Sequence, residues 1–282
     1  MKIKNLKTVI ISGIVLISLT SAKTLEPGQS ETKIRIHTTK GDMVVKLYNE
    51  TPLTRDNFIK LVKNKFYDST LFHRVIQGFM IQGGDPQSKH AAPGAMLGNG
   101  DPGYTVPAEF RPDLFHKKGA LACARMGDDV DPTKASSGCQ FYIAQGKVYT
   151  NAELDQMEMQ MNNSQKQQIF SGIINKPEHA ALKQKFIQFQ NQSNIDSLRA
   201  LAATIEPQID SIYATQPHFT YTPEQRQAYT TIGGVPHLDG NYTVFGEVVE
   251  GLNIVDSIAA VKTGTADRPV QDVRVLSMQI VK

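Results

Sequence analysis

The run Phe72-His73-Arg74-Val75-Ile76-Gln77-Gly78-Phe79-Met80-Ile81-Gln82-Gly83-Gly84-Asp85 constrains this chain more than any other stretch. It reads as strand, turn, strand, with Gly78 in the turn and Gly83-Gly84 where a tight turn needs positive φ. Within that one unit sit a permanent cation, a primary amide and two large apolar side chains. The set suits a groove that grips a polypeptide and desolvates one peptide bond. Singly, each residue has a plainer reading: Phe79 and Met80 as core, Arg74 as a surface or ion-pair residue. Only their order in one motif argues for a site.

The flanking sequence alternates in the same way. Ile34 and Ile36 face one side and Lys33, Arg35 and His37 the other; after Thr39-Lys40-Gly41-Asp42, Met43, Val45 and Leu47 repeat the pattern. Two such runs around a glycine-containing turn predict a β-hairpin. Thr51-Pro52 then opens a helix carrying Phe58, Leu61 and Val62 at helical spacing. Further strands are expected at Leu71–Ile76, Phe79–Gln82, Ala120–Ala124, Gln140–Ala144, Thr243–Val248 and Val273–Val281, between Gly/Pro/Asp-rich connections. Many short strands and few helices predict a mainly β protein built on a closed β-barrel.

Residues 147–232 change style, being rich in Gln, Asn, Ala and Met with helical periodicity. Thr150 and Glu153 form a capping-box signature. Pro177 suits a helix start, with Leu182, Phe186 and Phe189 on one face. Ile195, Leu198, Leu201, Ile205, Ile209 and Ile212 make a longer stripe that Pro207 should kink. Thr222-Pro223-Glu224-Gln225 opens a last helix, closed by Gly233-Gly234. The segment reads as an all-α insertion, and its apolar stripe as a face buried in the insertion or on the barrel, or offered to a protein partner.

At the N-terminus, Lys2, Lys4 and Lys7 precede an apolar run from Val9 to Leu19 and the small residues Thr20, Ser21 and Ala22. This is the layout of a secretory signal peptide over residues 1–22, with a polar tether over 23–32. The run is shorter than the roughly 20 residues of a spanning helix, so no stable membrane span is expected, and the mature chain is expected outside the cytoplasm, periplasmic or secreted. The alternative is an anchor formed by the uncleaved segment. Loss of residues 1–22 removes three lysines and no acidic residue, leaving as many basic as acidic side chains. The basic character therefore belongs to the targeting segment and gives no footprint for nucleic acid. Two cysteines, Cys123 and Cys139, either pair in an oxidising compartment, worth about 3 kcal/mol in the chain-entropy model, or fill the core of neighbouring strands. Two thiols and seven scattered histidines make no metal site.

Five motifs, spread along the chain in order, resemble the cyclophilin family of peptidyl-prolyl isomerases. They are Phe66-Tyr67-Asp68 leading into Phe72-His73-Arg74-Val75-Ile76; Phe79-Met80-Ile81-Gln82-Gly83-Gly84-Asp85; Gly119-Ala120-Leu121-Ala122-Cys123-Ala124-Arg125; Ser137-Gly138-Cys139-Gln140-Phe141-Tyr142-Ile143; and Leu238-Asp239-Gly240 through Val244-Phe245-Gly246. The resemblance covers 33–146 and 233–282, with 147–232 as an interruption. It implies a closed eight-stranded antiparallel barrel capped by two helices, a peptide groove on its outer face, no cofactor, and proline-containing unfolded or partly folded polypeptides as partners.

By position the resemblance makes Arg74 the catalytic arginine, Phe79 and Met80 proline-pocket residues, and Gln82 the amide that binds substrate backbone. Ala124, Arg125, Gln140, Tyr142, His237, Leu238 and Tyr242 fall on further groove positions. Arg125 stands where Asn is usual in the best-known eukaryotic members, Tyr142 where Phe is, His237 where Trp is, and Tyr242 where His is. The floor and rim are thus more polar, and His237 argues against strong cyclosporin binding. In other respects the chain is similar to exported bacterial members, so that folding of exported proteins is the implied task. A hydrolase reading fails on motifs: there is no Gly-x-Ser-x-Gly elbow, no His-Glu-x-x-His and no papain-like cysteine context. Gly94–Gly103 lacks the Lys-Ser/Thr of a phosphate loop. The other reading is a binding module, a chaperone on the same frame whose insertion cradles unfolded chains.

Overall fold

A computed structural model describes residues 30–281. The expected signal segment, and all but the last residues of the tether, lie outside them. Strands β1 (Lys33–Thr38) and β2 (Gly41–Leu47) pair with Thr38 opposite Gly41, as the alternation requires. Helix α1 (Pro52–Lys63) follows, then β3 (Phe72–Ile76), β4 (Met80–Gly83), the two-residue β5 (Thr105–Val106), β6 (Ala120–Arg125) and β7 (Ser136–Ala144). After the helical segment come β8 (Val244–Glu250), the helix Leu252–Ala259 and β9 (Val275–Val281).

The main ladder is an eight-strand, curled antiparallel sheet in the order β3-β4-β7-β6-β8-β2-β1-β9, with β5 added on β7. The expectation of a barrel closed by ladders all round needs correction. The end strands β3 and β9 form no ladder and meet at their entries, through the Leu71–Arg274 bridge, the Phe72 N–H bond to the Val273 carbonyl, and bonds of the Ser69 N–H to the Val275 carbonyl and of the Val275 N–H to the Thr70 carbonyl. The chain there leaves regular pairing to turn into the strands. Within the curl, Ile34, Ile36, Met43, Val45, Leu47, Phe72, Ile81, Leu121, Phe141 and Phe245 are buried. The Phe58 ring of α1 stands edge-on to Phe141 at 5.6 Å. Cys123 and Cys139 are free thiols in this core, and burial pushes both up to about 12.

Four helices make up the segment between β7 and β8: α2 (Asn151–Ile174), α3 (Ala180–Asn191), α4 (Ile195–Tyr213) and α5 (Pro223–Thr231). Capping boxes open α2 at Thr150/Glu153 and α5 at Thr222/Gln225, so two orphan amides at each start have side-chain partners. Helix α4 continues through Pro207, and of its apolar stripe only Ile205 is fully buried. The segment enters and leaves at one point. Lys147 and Gly234 exchange backbone hydrogen bonds at 3.3 and 3.0 Å. A Cβ on Gly234 would lie 2.3 Å from the His116 carbonyl oxygen, which is why the close approach requires glycine. None of the helices among the described residues is long and apolar enough to cross a membrane.

Candidate active site

The site follows from strand register. Arg74 on β3 pairs with Gln82 on β4, Gln82 with Tyr142 on β7, and Tyr142 with Ala122 on β6. Opposed residues in antiparallel strands share a face, so one row across four strands carries these side chains to the outside of the curl. Met80 and Gln140, two positions away along their strands, join the same face. A second, smaller apolar cluster forms there. Met80, Ala122, Tyr142 and Val244 are buried in it, with Phe79, Ala124, Leu238 and Tyr242 packed against them.

A groove of about 350 Å³ opens over this cluster, lined by Arg74, Phe79, Met80, Gln82, Ala124, Arg125, Tyr142, Leu238 and Tyr242 among others. Nine of the eleven groove residues expected from sequence therefore meet at one cavity. His237 stands at its edge, stacked on Phe79 with ring centroids 5.7 Å apart. Gln140 lies one layer further, in an adjoining recess that Gln82, Ala124 and Arg125 also line.

Polar side chains in the groove form two networks. Arg74 Nε donates to Asp267 Oδ2 at 3.3 Å and its Nη1 to Gln82 Oε1 at 3.5 Å. Gln82 Nε2 donates to Gln140 Oε1 at 3.1 Å, and Gln140 Nε2 to the carbonyls of Gly98 and Gly100, both at 2.8 Å. The guanidinium is only half-buried and loosely tied, so its remaining N–H groups can reach a guest. Arg125 differs. Its donors go to the Asn241 carbonyl at 2.7 Å and to Asp128 at 2.6 Å, and its guanidinium lies over the Tyr242 ring at 4.6 Å. Arg125 therefore fixes the loop that carries Tyr242 rather than offering charge to a ligand.

Sequence reasoning missed the far wall. Buried Arg268 donates to the carbonyls of Ala92 and Ala95 and pairs with Asp272, which holds the loop at 95–99 against the groove. Asp267 at the rim comes from a segment about 190 residues from Arg74, where no local signal marks it. His73, beside Arg74, is buried at the back of the groove lining. Neither ring nitrogen has a protein partner, and burial pulls its pKa below the ordinary histidine value despite the nearby Asp85 carboxylate.

The profile of a family described as "Cyclophilin type peptidyl-prolyl cis-trans isomerase/CLD" matches residues 33–180 and 221–280. It thus includes α2 and α5 and leaves out 181–220. A protein of Staphylococcus aureus (strain USA300), provisionally named a peptidyl-prolyl cis-trans isomerase, is 30% identical over 256 residues, spanning 90% of this chain and 94% of its own. One of Staphylococcus haemolyticus (strain JCSC1435), named in the same way, is 30% identical over 252 residues, spanning 89% and 92%. A crystal structure of a Cryptosporidium parvum cyclophilin type peptidyl-prolyl cis-trans isomerase covers 90% of this chain and 99% of its own, with a TM-score of 0.50 at 18% identity, a likeness of fold. On the profile and the relatives together, this chain belongs to the cyclophilin-type peptidyl-prolyl cis-trans isomerases.

Proposed function

We propose that the chain accelerates rotation about Xaa-Pro bonds in exported polypeptides, with Arg74 as the catalytic residue. The observation that carries this is a loosely tied guanidinium at the mouth of an apolar pocket made by Phe79, Met80, Tyr142 and Leu238. Rotation crosses a barrier of about 18–20 kcal/mol and takes tens to hundreds of seconds unaided. No covalent bond breaks, so no nucleophile is needed. In the twisted amide, resonance is lost and the prolyl nitrogen regains a lone pair. The Arg74 guanidinium donates to that nitrogen in the transition state and cannot do so in the planar ground state, where the lone pair is delocalised, which is differential binding. The apolar walls exclude water, while Gln82 and Gln140 hold the flanking backbone as the bond turns.

Export rests on the charged, apolar and small-residue order of residues 1–22. Exposed Ile187 and Ile195 on α3 and α4 support a protein partner for the helical segment. Exchange NMR on a short Xaa-Pro peptide with residues 23–282 tests the activity. Cis and trans signals exchanging well above the uncatalysed rate are expected, and exchange at the rate of buffer overturns the proposal. Recovery of a mature chain starting at Lys23 outside the cytoplasm tests export; an intact N-terminus inside the cell would refute it.

A further inference from the structure

Tyr142 floors the groove, and its hydroxyl does not end there. Its oxygen lies 2.8 Å from Nε2 of His116, a side chain with no solvent exposure. On the other side of that ring, Nδ1 lies 2.8 Å from Asp239 Oδ1, which also accepts the His116 backbone N–H at 2.9 Å. The second carboxylate oxygen accepts the Tyr229 hydroxyl at 2.5 Å. Tyr229 is fully buried on α5, where its ring packs edge-on against Phe115, Tyr149 and Tyr221. The chain Tyr142–His116–Asp239–Tyr229 therefore runs from the groove floor into the helical segment, and none of its last three members lines the groove.

The direction of the two bonds to Asp239 follows from donor inventory. A carboxylate accepts only, so Nδ1 of His116 carries the proton toward Asp239. Nε2 shares the bond on the other side of the ring with the Tyr142 hydroxyl, which turns that hydroxyl away from the groove toward the ring. Burial keeps both phenols well above their ordinary range, so each remains an O–H donor. Asp239 has a second tie to the pocket. It directly follows His237 and Leu238, whose short 3₁₀ turn it closes with its N–H on the Pro236 carbonyl. Pinning its carboxylate thus sets the Leu238 wall as well as the Tyr142 floor.

We infer that the helical segment is a working part of the isomerase site: Tyr229, Asp239 and His116 are positioning residues that fix the Tyr142 floor and the Leu238 wall. The inference rests on the proline pocket proposed above. Anything that displaces α5 acts on catalysis through this chain without touching the groove.

A double-mutant cycle of Tyr229→Phe and Tyr142→Phe tests it, since each change deletes one hydroxyl and keeps the ring. Tyr229→Phe alone is expected to lower kcat/KM for an Xaa-Pro peptide by about 3- to 10-fold. In the Tyr142→Phe background it is expected to cost clearly less, because only the share carried through the Leu238 wall remains. Equal losses in both backgrounds would mean that α5 only stabilises the fold, and no loss in either would also overturn the inference. A second readout needs no variant: the slowly exchanging ring N–H resonance of His116 should shift when saturating Xaa-Pro peptide binds the wild-type chain. An unmoved resonance with peptide bound counts against the coupling, whereas a wild type that neither binds nor isomerises the peptide sinks the pocket reading instead.

Discussion

Replacing Arg74 separates catalysis from stability, and the structure gives the size of both effects. The bonds of the guanidinium to Asp267 and Gln82 are long, at 3.3 and 3.5 Å, and the ion pair is about half exposed on each side. Such pairs contribute about 0–1 kcal/mol, so Arg74→Ala should lower Tm by no more than a few degrees. The proposed transition-state bond is different in kind: a charge-assisted donor aimed at the prolyl nitrogen, worth about 1.5–3 kcal/mol. At 1.36 kcal/mol per decade, its loss lowers kcat/KM by about 10- to 150-fold. Arg74→Lys keeps the charge but not the planar fork that reaches Asp267, Gln82 and a guest together, so a loss of about tenfold is expected. Isomerisation of an Xaa-Pro peptide at about 10 °C, where the uncatalysed reaction takes minutes, reads this directly. Alanine and wild type within twofold of each other, with both folded, would refute the role of the guanidinium. So would a loss of activity that merely followed unfolding.

Two further outcomes follow from the surroundings of the groove. His73 is buried without a partner and its pKa is lowered by burial, so the unfolded chain binds its proton more readily. Its contribution is complete above the unfolded value near pH 6.5 and is lost as pH falls toward the lower folded value, at up to about 1.4 kcal/mol per pH unit; urea unfolding between about pH 7 and 5 should show this slope, and His73→Phe should flatten it. Gly84 has φ of +93° and an added Cβ would lie 2.4 Å from the Cys139 carbonyl oxygen. Gly84→Ala should therefore cost more than about 1 kcal/mol in urea unfolding and weaken peptide binding by moving Gln140, and an unchanged midpoint would contradict the clash.

What was legible in the sequence was what repeats or caps locally. The β1–β2 hairpin follows from alternation, α2 from its capping box and α5 from the Thr222-Pro223-Glu224-Gln225 start, and the groove face from one ordered motif whose residues the strand register then brings together. The helix Leu252–Ala259 (α6) carried no such mark. It is only two turns long and begins after Gly251 in the left-handed region, with no side-chain cap to announce it. The incomplete pairing of β3 with β9 depends on how far the sheet curls, which alternation does not encode. Arg268 and Asp267 were equally invisible, because what they hold lies far away in the chain. The interruption expected at Pro207 is not found: α4 runs through it from Ile195 to Tyr213.

The four positions at which the chain departs from the best-known members of its family read, in sequence, as separate polar substitutions around a pocket. The structure couples them. A phenol at 142 puts a hydroxyl in a place with almost no solvent access, where an unpaired O–H costs about 1–3 kcal/mol. That hydroxyl is met by His116, the other ring nitrogen of His116 is met by Asp239, and the remaining carboxylate oxygen is met by Tyr229 from the helical segment. On the opposite wall, Arg125 is oriented by Asp128 and the Asn241 carbonyl and lies on the face of Tyr242, whose edge meets the Tyr142 ring at 5.9 Å. His237, short of a tryptophan's reach, keeps its apolar contact by stacking on Phe79. A change at one of these positions therefore leaves a buried donor or an unstacked ring at the next. Reverting Tyr142 alone to phenylalanine would strand His116 Nε2 in the core, and the loss would fall on the joint between barrel and helices as well as on the groove.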